Sequence, residues 1–531
     1  MPREINRYLV TAVRLRAGIL CSILSGVLLA LAFADGRLWV FSWFAFVPLF
    51  LSLNNKNLKQ TSLLSLITGL TFWSGTIYWL VNVTLFGTIL LILYLALYFA
   101  IFGLIIRPAT RHSSFYVLLF VPALWILLEY IRSRMLTGFP WALLGYSQYL
   151  NLPVIQIADI TGVWGVSFLV MLVNVAIVEA IWSLKTGLWK RLKTITVTVI
   201  LLFTLVLSYG YIRLSSARSS VPKQGLVRIS VIQGNIPQAL KWEEGAREFV
   251  MSRYLDLTTA SLKDAADLII WPEASLPVVL EEEPLYYARL ASYAQTIGRP
   301  LIFGAVTNRD GVYYNSALQL TREGGLADRY DKLHLVPFGE YIPFRNIFSF
   351  LETIAPIGDI APGKKYTLFK VRPQDLQNSV SATPGPHEFG VLICFEDVFP
   401  ELARGFVNQG ADFLVNITND AWFGQTAEAY QHLAASVFRA VENRVYLVRA
   451  ANTGVSGFIS PEGKAVFLTD GKGQAIFTAG YKTREISIHR QFSFYRRYGD
   501  LLVVLAFLYL LGVILRSGSR IFKMKKKDGH V

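Results

Sequence analysis

The sequence predicts a multi-span α-helical membrane domain joined to an α/β layered domain, on three observations. Apolar stretches long enough to cross a bilayer recur through residues 1–212 and return near 499–516. Lys and Arg gather in alternate loops between those stretches. From Leu226 onward, short apolar runs alternate with polar, helix-like segments. Composition agrees: 531 residues, 53% hydrophobic and 16% charged, with mean hydropathy +0.43, are too apolar for an ordinary soluble enzyme and too long for one domain. The net charge of +15 does not point to nucleic acid, because the basic residues lie beside apolar spans, where they orient helices in a bilayer.

The first domain, residues 1–212, holds seven expected spans near 17–34, 37–53, 61–83, 86–106, 114–131, 160–183 and 194–212. The eighth, near 499–516, opens a C-terminal segment 499–531 that ends in a basic tail. Arg3, Arg7, Arg14 and Arg16 precede the first span, Lys56 and Lys59 follow the second, and Arg107 and Arg111 the fourth. Lys185, Lys190, Arg191 and Lys193 follow the sixth, and Arg516, Arg520 and Lys523 the eighth. Positive charge on the cytoplasmic side then places both termini in the cytoplasm and residues 213–498 outside, in a bacterium the periplasm. Residues 1–34, with a basic start and Ala32-Phe33-Ala34, also resemble a cleaved signal peptide, but an apolar run of about 18 residues exceeds the usual core of roughly 7 to 15, which favours a retained span. Glu129 and Glu179 are costly in lipid and therefore functional candidates; equally, Glu129 can pair with Arg132 or Arg134 at a span end. The loop 137–148, rich in Gly and aromatics, suits an interfacial belt.

In the domain 213–498 the runs 226–232, 267–271, 300–306, 389–395, 412–418 and 446–451 read as buried strands, and 244–264, 285–297 and 428–443 as helices between them. Of the two cysteines, Cys21 lies in the first apolar stretch, so Cys394 has no disulfide partner. It stands in a run, Phe389 to Pro400, that sets one thiol beside the carboxylates of Glu396 and Asp397. A free Cys is more often a small buried hydrophobe than a catalyst. Glu273 and Lys332 likewise follow expected strands or their loops, where open α/β sheets bind ligands, yet Glu273 also suits a helix start and Lys332 an exposed partner of Asp331.

The segments WPE around Glu273, YDKLHLVPFGEYIP around Lys332 and ICFED around Cys394 resemble, in order and context, the Glu-Lys-Cys signatures of the nitrilase (carbon-nitrogen hydrolase) superfamily. With QGNIPQALKW (233–242), NITNDAWFG (416–424), Gln431-His432, RAANTGVSG (449–457) and the eight-span layout, the chain is similar over essentially its whole length to one branch, the bacterial apolipoprotein N-acyltransferases. That resemblance implies a nitrilase-like αββα sandwich for the second domain. It implies Cys394 as the acylated nucleophile, Glu273 as general base and acid, and Lys332 as the cation that stabilises the oxyanion together with the backbone N–H of Phe395. A base and an ammonium next to the sulfur are both expected to favour thiolate. Glu340 matches a second family carboxylate that orients Lys332 or the incoming amine, and Trp242 and Glu396 match positions that shape the substrate pocket. Phe395 stands where Tyr is expected in many relatives, and its ring lacks the phenol hydroxyl that a hydrogen bond from that position would need.

The resemblance further implies a phospholipid of the phosphatidylethanolamine type as acyl donor and a diacylglyceryl apolipoprotein as acceptor, in a monomer surrounded by membrane lipids, with no cofactor and no metal. A membrane-tethered amidase that uses water as acceptor, and a silent lipid-binding assembly protein, are the alternatives. A Cys-His hydrolase built on His334 or His432 is a rival triad. The histidines of the domain, His334, His387, His432 and His489, are scattered and show no metal-ligand spacing.

Overall fold

The computed structural model describes residues 2–109, 114–219, 225–241, 243–337, 339–341, 360–373, 385–489 and 491–528. The chain forms two compact units, Met1–Tyr211 with Tyr498–Val531, and Ile212–Arg497.

The first unit is helical. Among the described residues four helices are long and apolar enough to cross a membrane: Leu15–Ala34, Leu85–Arg107, Val163–Lys185 and Trp189–Ser216. They correspond to four of the eight expected spans. The stretches 61–83 and 114–131 are also helical, as Leu58–Thr76 and Ser114–Arg132, and the apolar part of the last helix is Leu501–Arg516. The stretch 37–53 departs from expectation, splitting into a 3-10 turn, Gly36–Trp43, and a short helix, Val47–Ser52. Its interrupted backbone is satisfied from outside: Asn174 accepts from the Phe46 N–H at 2.8 Å and donates to the Ser42 carbonyl at 2.8 Å, and Ser25 accepts from the Leu49 N–H at 2.9 Å. Irregular backbone survives at such a depth only when protein groups complete its hydrogen bonds.

Helix Leu58–Thr76 begins at a reciprocal cap between Asn57 and Gln60 and packs against helix Pro2–Ala34. A Cβ on Gly26 would lie 2.5 Å from the Thr71 Cβ, so this approach requires glycine. Both acidic candidates have partners within the helical unit. Buried Glu129 accepts from the Leu144 N–H at 2.7 Å, while Arg132 donates to the carbonyls of Phe139 and Trp141; together they fasten the loop 137–148. Glu179 pairs with Arg191.

The second unit is layered. In chain order its described strands are β1 Leu226–Gln233, β2 Leu268–Ile270, β3 Leu276–Val279, β4 Leu301–Arg309, β5 Val312–Leu320, β6 Leu326–Asp331, β7 Leu368–Val371, β8 His387–Ile393, β9 Phe413–Thr418, β10 Tyr446–Ala451, β11 Gly457–Ile459, β12 Ala465–Phe467 and β13 Gly480–Ser487. One sheet has the order β13-β1-β2-β4-β5-β6 with β3 beside β4, the other β12-β11-β10-β9-β8-β7. The parallel pairs β1/β2, β2/β4, β8/β9 and β9/β10 form the sheet centres, and their strands are apolar on both faces because both faces are covered. The sheets meet where β1 packs against β10 and β5 against β8. Helix Arg247–Ser261 covers β1 and β3, and helices Pro400–Asn408 and Glu428–Asn443 cover β8, β9 and β10. Tyr254, Trp271, Leu290 and Phe303 fill the core between the first sheet and its helices.

Candidate active site

The site assembles at the ends of strands from both sheets. After β2 the chain turns through Trp271, Pro272 and Glu273, with Ala274 at φ +45°. Trp271 anchors the turn, fully buried and donating its indole N–H to Thr258 at 2.8 Å. Gly304 on β4 is required beneath it, since a Cβ there would meet the Ala274 nitrogen at 2.5 Å and the Glu273 Cα at 2.7 Å. Lys332 leaves the end of β6 with its N–H bonded to the Asn315 carbonyl of β5 at 2.9 Å.

These turns converge. The Lys332 Nζ lies 3.0 Å from Glu340 Oε2 and 3.6 Å from Glu273 Oε1, with its side chain 1% exposed. Asn315 bridges the two carboxylates, donating to Glu273 Oε1 and Glu340 Oε1 at 2.8 Å each. Glu340 Oε2 also accepts from the Val336 N–H at 2.8 Å. Burial pulls the Lys332 pKa down, but the facing carboxylates of Glu340 and Glu273 outweigh it and raise it. Lys332 is therefore a fixed ammonium.

Cys394 follows β8 as the first residue of a 3-10 turn, Cys394–Val398, at φ +50°. Its sulfur interacts electrostatically with Glu273 and Lys332, and the Thr418 side chain favours its ionised form. Burial and the Glu273 carboxylate push the thiol well above its ordinary range, against the pull of Lys332. This corrects the expectation that the base, like the ammonium, favours thiolate: a carboxylate beside sulfur repels a second negative charge, so the resting group is a thiol whose proton must leave as sulfur attacks.

The other expected residues are distributed as follows. Glu396, wholly buried, accepts from the Tyr330 hydroxyl at 2.8 Å and from the N–H groups of Ile393 (2.7 Å), Leu333 (2.7 Å) and His334 (3.1 Å). Its carboxylate therefore clasps the Lys332 loop to the Cys394 turn, and burial pushes it up to about 7. Phe395 is half-buried, edge-on to Phe399 at 5.1 Å. Trp242 lies outside the described residues. His432 does not face the sulfur as a base: Asp397 Oδ1 is 2.7 Å from Nε2, and Asp420 Oδ1 3.3 Å from Nδ1. His334 stacks at 3.8 Å on Phe399.

Three residues escaped the sequence reading. Asn315 is one polar position among several, with Ser316 and Gln319, in its strand, and nothing in the pattern singles it out. Thr418 ends β9 within a segment quoted only as a motif. Lys241, next to Trp242, is 1% exposed and donates to the Glu273 carbonyl at 3.0 Å; burial lowers it to about 8, against the pull of Glu273 and Cys394. Asp420, Glu428 and His432 offer ligand atoms within 4.8 Å of one another, but the Arg449 guanidinium already supplies their cation, 3.1 Å from Asp420 Oδ2 and 2.8 Å from His432 Nδ1. A metal ion does not fit beside it.

Comparison with known proteins adds the following. The family described as apolipoprotein N-acyltransferase N-terminal domain matches residues 25–176, and that described as carbon-nitrogen hydrolase matches 228–489. The chain is 38% identical over 504 residues to a protein of Geobacter metallireducens named apolipoprotein N-acyltransferase, covering 91% of this chain and 92% of that one. A protein of the same name from Photobacterium profundum is 30% identical over 467 residues, covering 84% and 86%. Among solved structures, an amidase from Nesterenkonia sp. is 16% identical over 53% of this chain and 96% of its own, with a TM-score of 0.36, a likeness too distant to inform the site.

Proposed function

The chain belongs to the apolipoprotein N-acyltransferase family and is an enzyme of lipoprotein N-acylation, and from that premise we propose a route through a thioester on Cys394. The thiol attacks the sn-1 ester carbonyl of a phospholipid of the phosphatidylethanolamine type. Glu273 takes the thiol proton as the S–C bond forms, and Lys332 with the Phe395 backbone N–H stabilises the oxyanion. When the C–O bond breaks, Glu273 returns the proton to the departing lysophospholipid oxygen. The α-amine of a diacylglyceryl-cysteine apolipoprotein then attacks the thioester. Glu273 accepts the amine proton and passes it to the departing sulfur, leaving an amide and the free thiol.

The observation that carries this reading is the convergence of Glu273 and Glu340 within 3.6 Å of the Lys332 ammonium, which with Glu273 acts on the Cys394 sulfur. A thiol at rest next to a carboxylate needs a general base, and Glu273 is that carboxylate. Asn315 keeps Glu273 and Glu340 apart at a fixed spacing, and Lys241 ties the Glu273 turn. Eight spans, a bacterial inner-membrane location, residues 213–498 in the periplasm with both termini cytoplasmic, and a monomer complete the proposal, supported by the alternation of basic loops.

The test is the intact mass of the purified chain after incubation with phospholipid. One acyl chain added to the wild-type enzyme, lost on addition of a diacylated lipopeptide and absent from Cys394→Ala, is the expected result. An adduct that persists in Cys394→Ala overturns the nucleophile, and release of free fatty acid in preference to lipopeptide product identifies water as the acceptor.

A further inference from the structure

At φ +50° Cys394 occupies a conformation that a residue with a Cβ keeps only when its surroundings over-determine it. The side chains that do so lie behind the sulfur, on the second sheet, and meet at one guanidinium. Arg449, on β10 and 1% exposed, donates from Nη1 to Asp397 Oδ2 at 3.1 Å, Asn416 Oδ1 at 2.8 Å and Ser436 Oγ at 2.9 Å. From Nη2 it donates to Asp420 Oδ2 at 3.1 Å and lies 2.8 Å from His432 Nδ1.

Three of these contacts lead back to the nucleophile. Asn416 donates its Nδ2 to the Cys394 carbonyl at 3.1 Å and to the Leu392 carbonyl at 3.3 Å. Asp420 Oδ1 accepts from the Thr418 hydroxyl at 2.7 Å, and the Thr418 side chain favours the ionised form of Cys394. Asp397 belongs to the same 3-10 turn as Cys394, and its carboxylate is further held by His432 and Ser436.

We propose that Arg449 is a positioning residue for acyl transfer: by gripping Asn416, Asp420 and Asp397 together, it sets the carbonyl, the sulfur and the turn of Cys394. The planar fork of a guanidinium reaches three separated acceptors, and a lysine ammonium does not. Arg449 also has an electrostatic role. The ionisable groups that face the sulfur are Glu273 and Lys332 from the first sheet, Lys241 from the segment after β1, and Asp420 from the turn after β9. Arg449 pairs with Asp420, the one carboxylate on the nucleophile's own sheet among them, and so offsets the opposition of its charge to formation of sulfur anion.

The inference rests on Cys394 being the nucleophile, and its readout is chosen to be separate from acyl transfer. The full chain, in detergent and carrying Cys21→Ala, is alkylated with iodoacetamide across the neutral to alkaline range, and modification of Cys394 is followed by intact mass. Folded Arg449→Lys is expected to alkylate more slowly at neutral pH, with the midpoint of its pH profile raised by about one unit, a tenfold loss of thiolate. Near-isosteric Thr418→Val shifts the midpoint the same way, and Asn416→Asp, which keeps the acceptor for Arg449 but loses the donor to Cys394, slows acyl-enzyme formation. Thermal unfolding of each variant separates misfolding from repositioning. A folded Arg449→Lys with the wild-type alkylation profile and wild-type acylation overturns the proposal. Should that variant fail to fold, wild-type behaviour of both folded Thr418→Val and Asn416→Asp does so instead. Acyl transfer that survives Cys394→Ala refutes the thioester route, whereas the alkylation profile still judges the Arg449 network.

Discussion

Two buried ionic clusters flank Cys394, and they are built to opposite ends. In front, Lys332 faces the two carboxylates of Glu273 and Glu340, whose side chains remain 10% and 15% exposed. Behind, Asp397, Asp420, His432 and Arg449 are at most 2% exposed and interlocked through both carboxylates, both imidazole nitrogens and the guanidinium fork. The front carboxylates keep their partial exposure, so a proton can arrive, move and leave. The rear cluster is closed, and moving one charge there strands another in a low dielectric. Chemistry is placed where charged groups keep some access to solvent, and rigidity where they are closed off.

If that division holds, substitutions in front should remove activity from a folded protein. The largest effect is expected from Lys332→Met, which takes away the ammonium that faces the oxyanion: acyl-enzyme formation should fall about 10² to 10³-fold, as for loss of a single oxyanion-hole donor, with the protein still monodisperse and cooperatively folded. Normal acylation by this variant would break the comparison outright. Glu340→Gln sharpens it. Because that carboxylate is engaged by Lys332, Asn315 and the Val336 N–H, the loss should appear in the first half-reaction. A variant that accumulates thioester but forms no lipopeptide product would instead move Glu340 to the second step.

Glu396 joins the Lys332 loop to the Cys394 turn, so Glu396→Gln should act mainly on stability. The amide retains an oxygen acceptor but sets an NH2 group against one of three backbone donors, a cost of about 1–3 kcal/mol, read as a lower unfolding midpoint in detergent. The rear cluster makes a pH prediction of definite sign. Burial opposes the ionised forms of Asp397 and Asp420, but His432 and Arg449 overcome it and hold both below the usual range. The unfolded chain therefore binds more protons than the folded one in acid. Stability from this pair is full above the ordinary Asp value of about 3.9 and is lost as pH falls below it. Arg449→Lys should flatten that acid dependence, and an unchanged slope would remove the pair from the stability account. The smallest effect is expected from Phe395→Tyr, which adds a hydroxyl at a half-buried ring: turnover should stay within about threefold of wild type, well under 1 kcal/mol.

What the sequence by itself determined is local in origin. Apolar runs at strand and helix periods marked the two kinds of architecture, and Glu273, Lys332 and Cys394 were legible because each stands in a distinctive segment, WPE, YDKLHLVPFGEYIP and ICFED. The resemblance to a known family assigned their roles. The break within 37–53 was not legible, because it depends on Asn174, more than 120 positions away in sequence, to satisfy Ser42 and Phe46. The same limit hid Asn315, Thr418 and Arg449. Each is an ordinary polar residue within a strand until pairing brings β5 beside β6 and β9 between β8 and β10. Glu396 was visible as a motif residue but not as a clasp, since its donors Tyr330, Leu333 and His334 lie over sixty positions upstream. Only the tertiary structure decides whether a carboxylate next to a reactive thiol takes part in chemistry or is consumed by backbone N–H groups, because that depends on which donors the folded chain brings within hydrogen-bond reach.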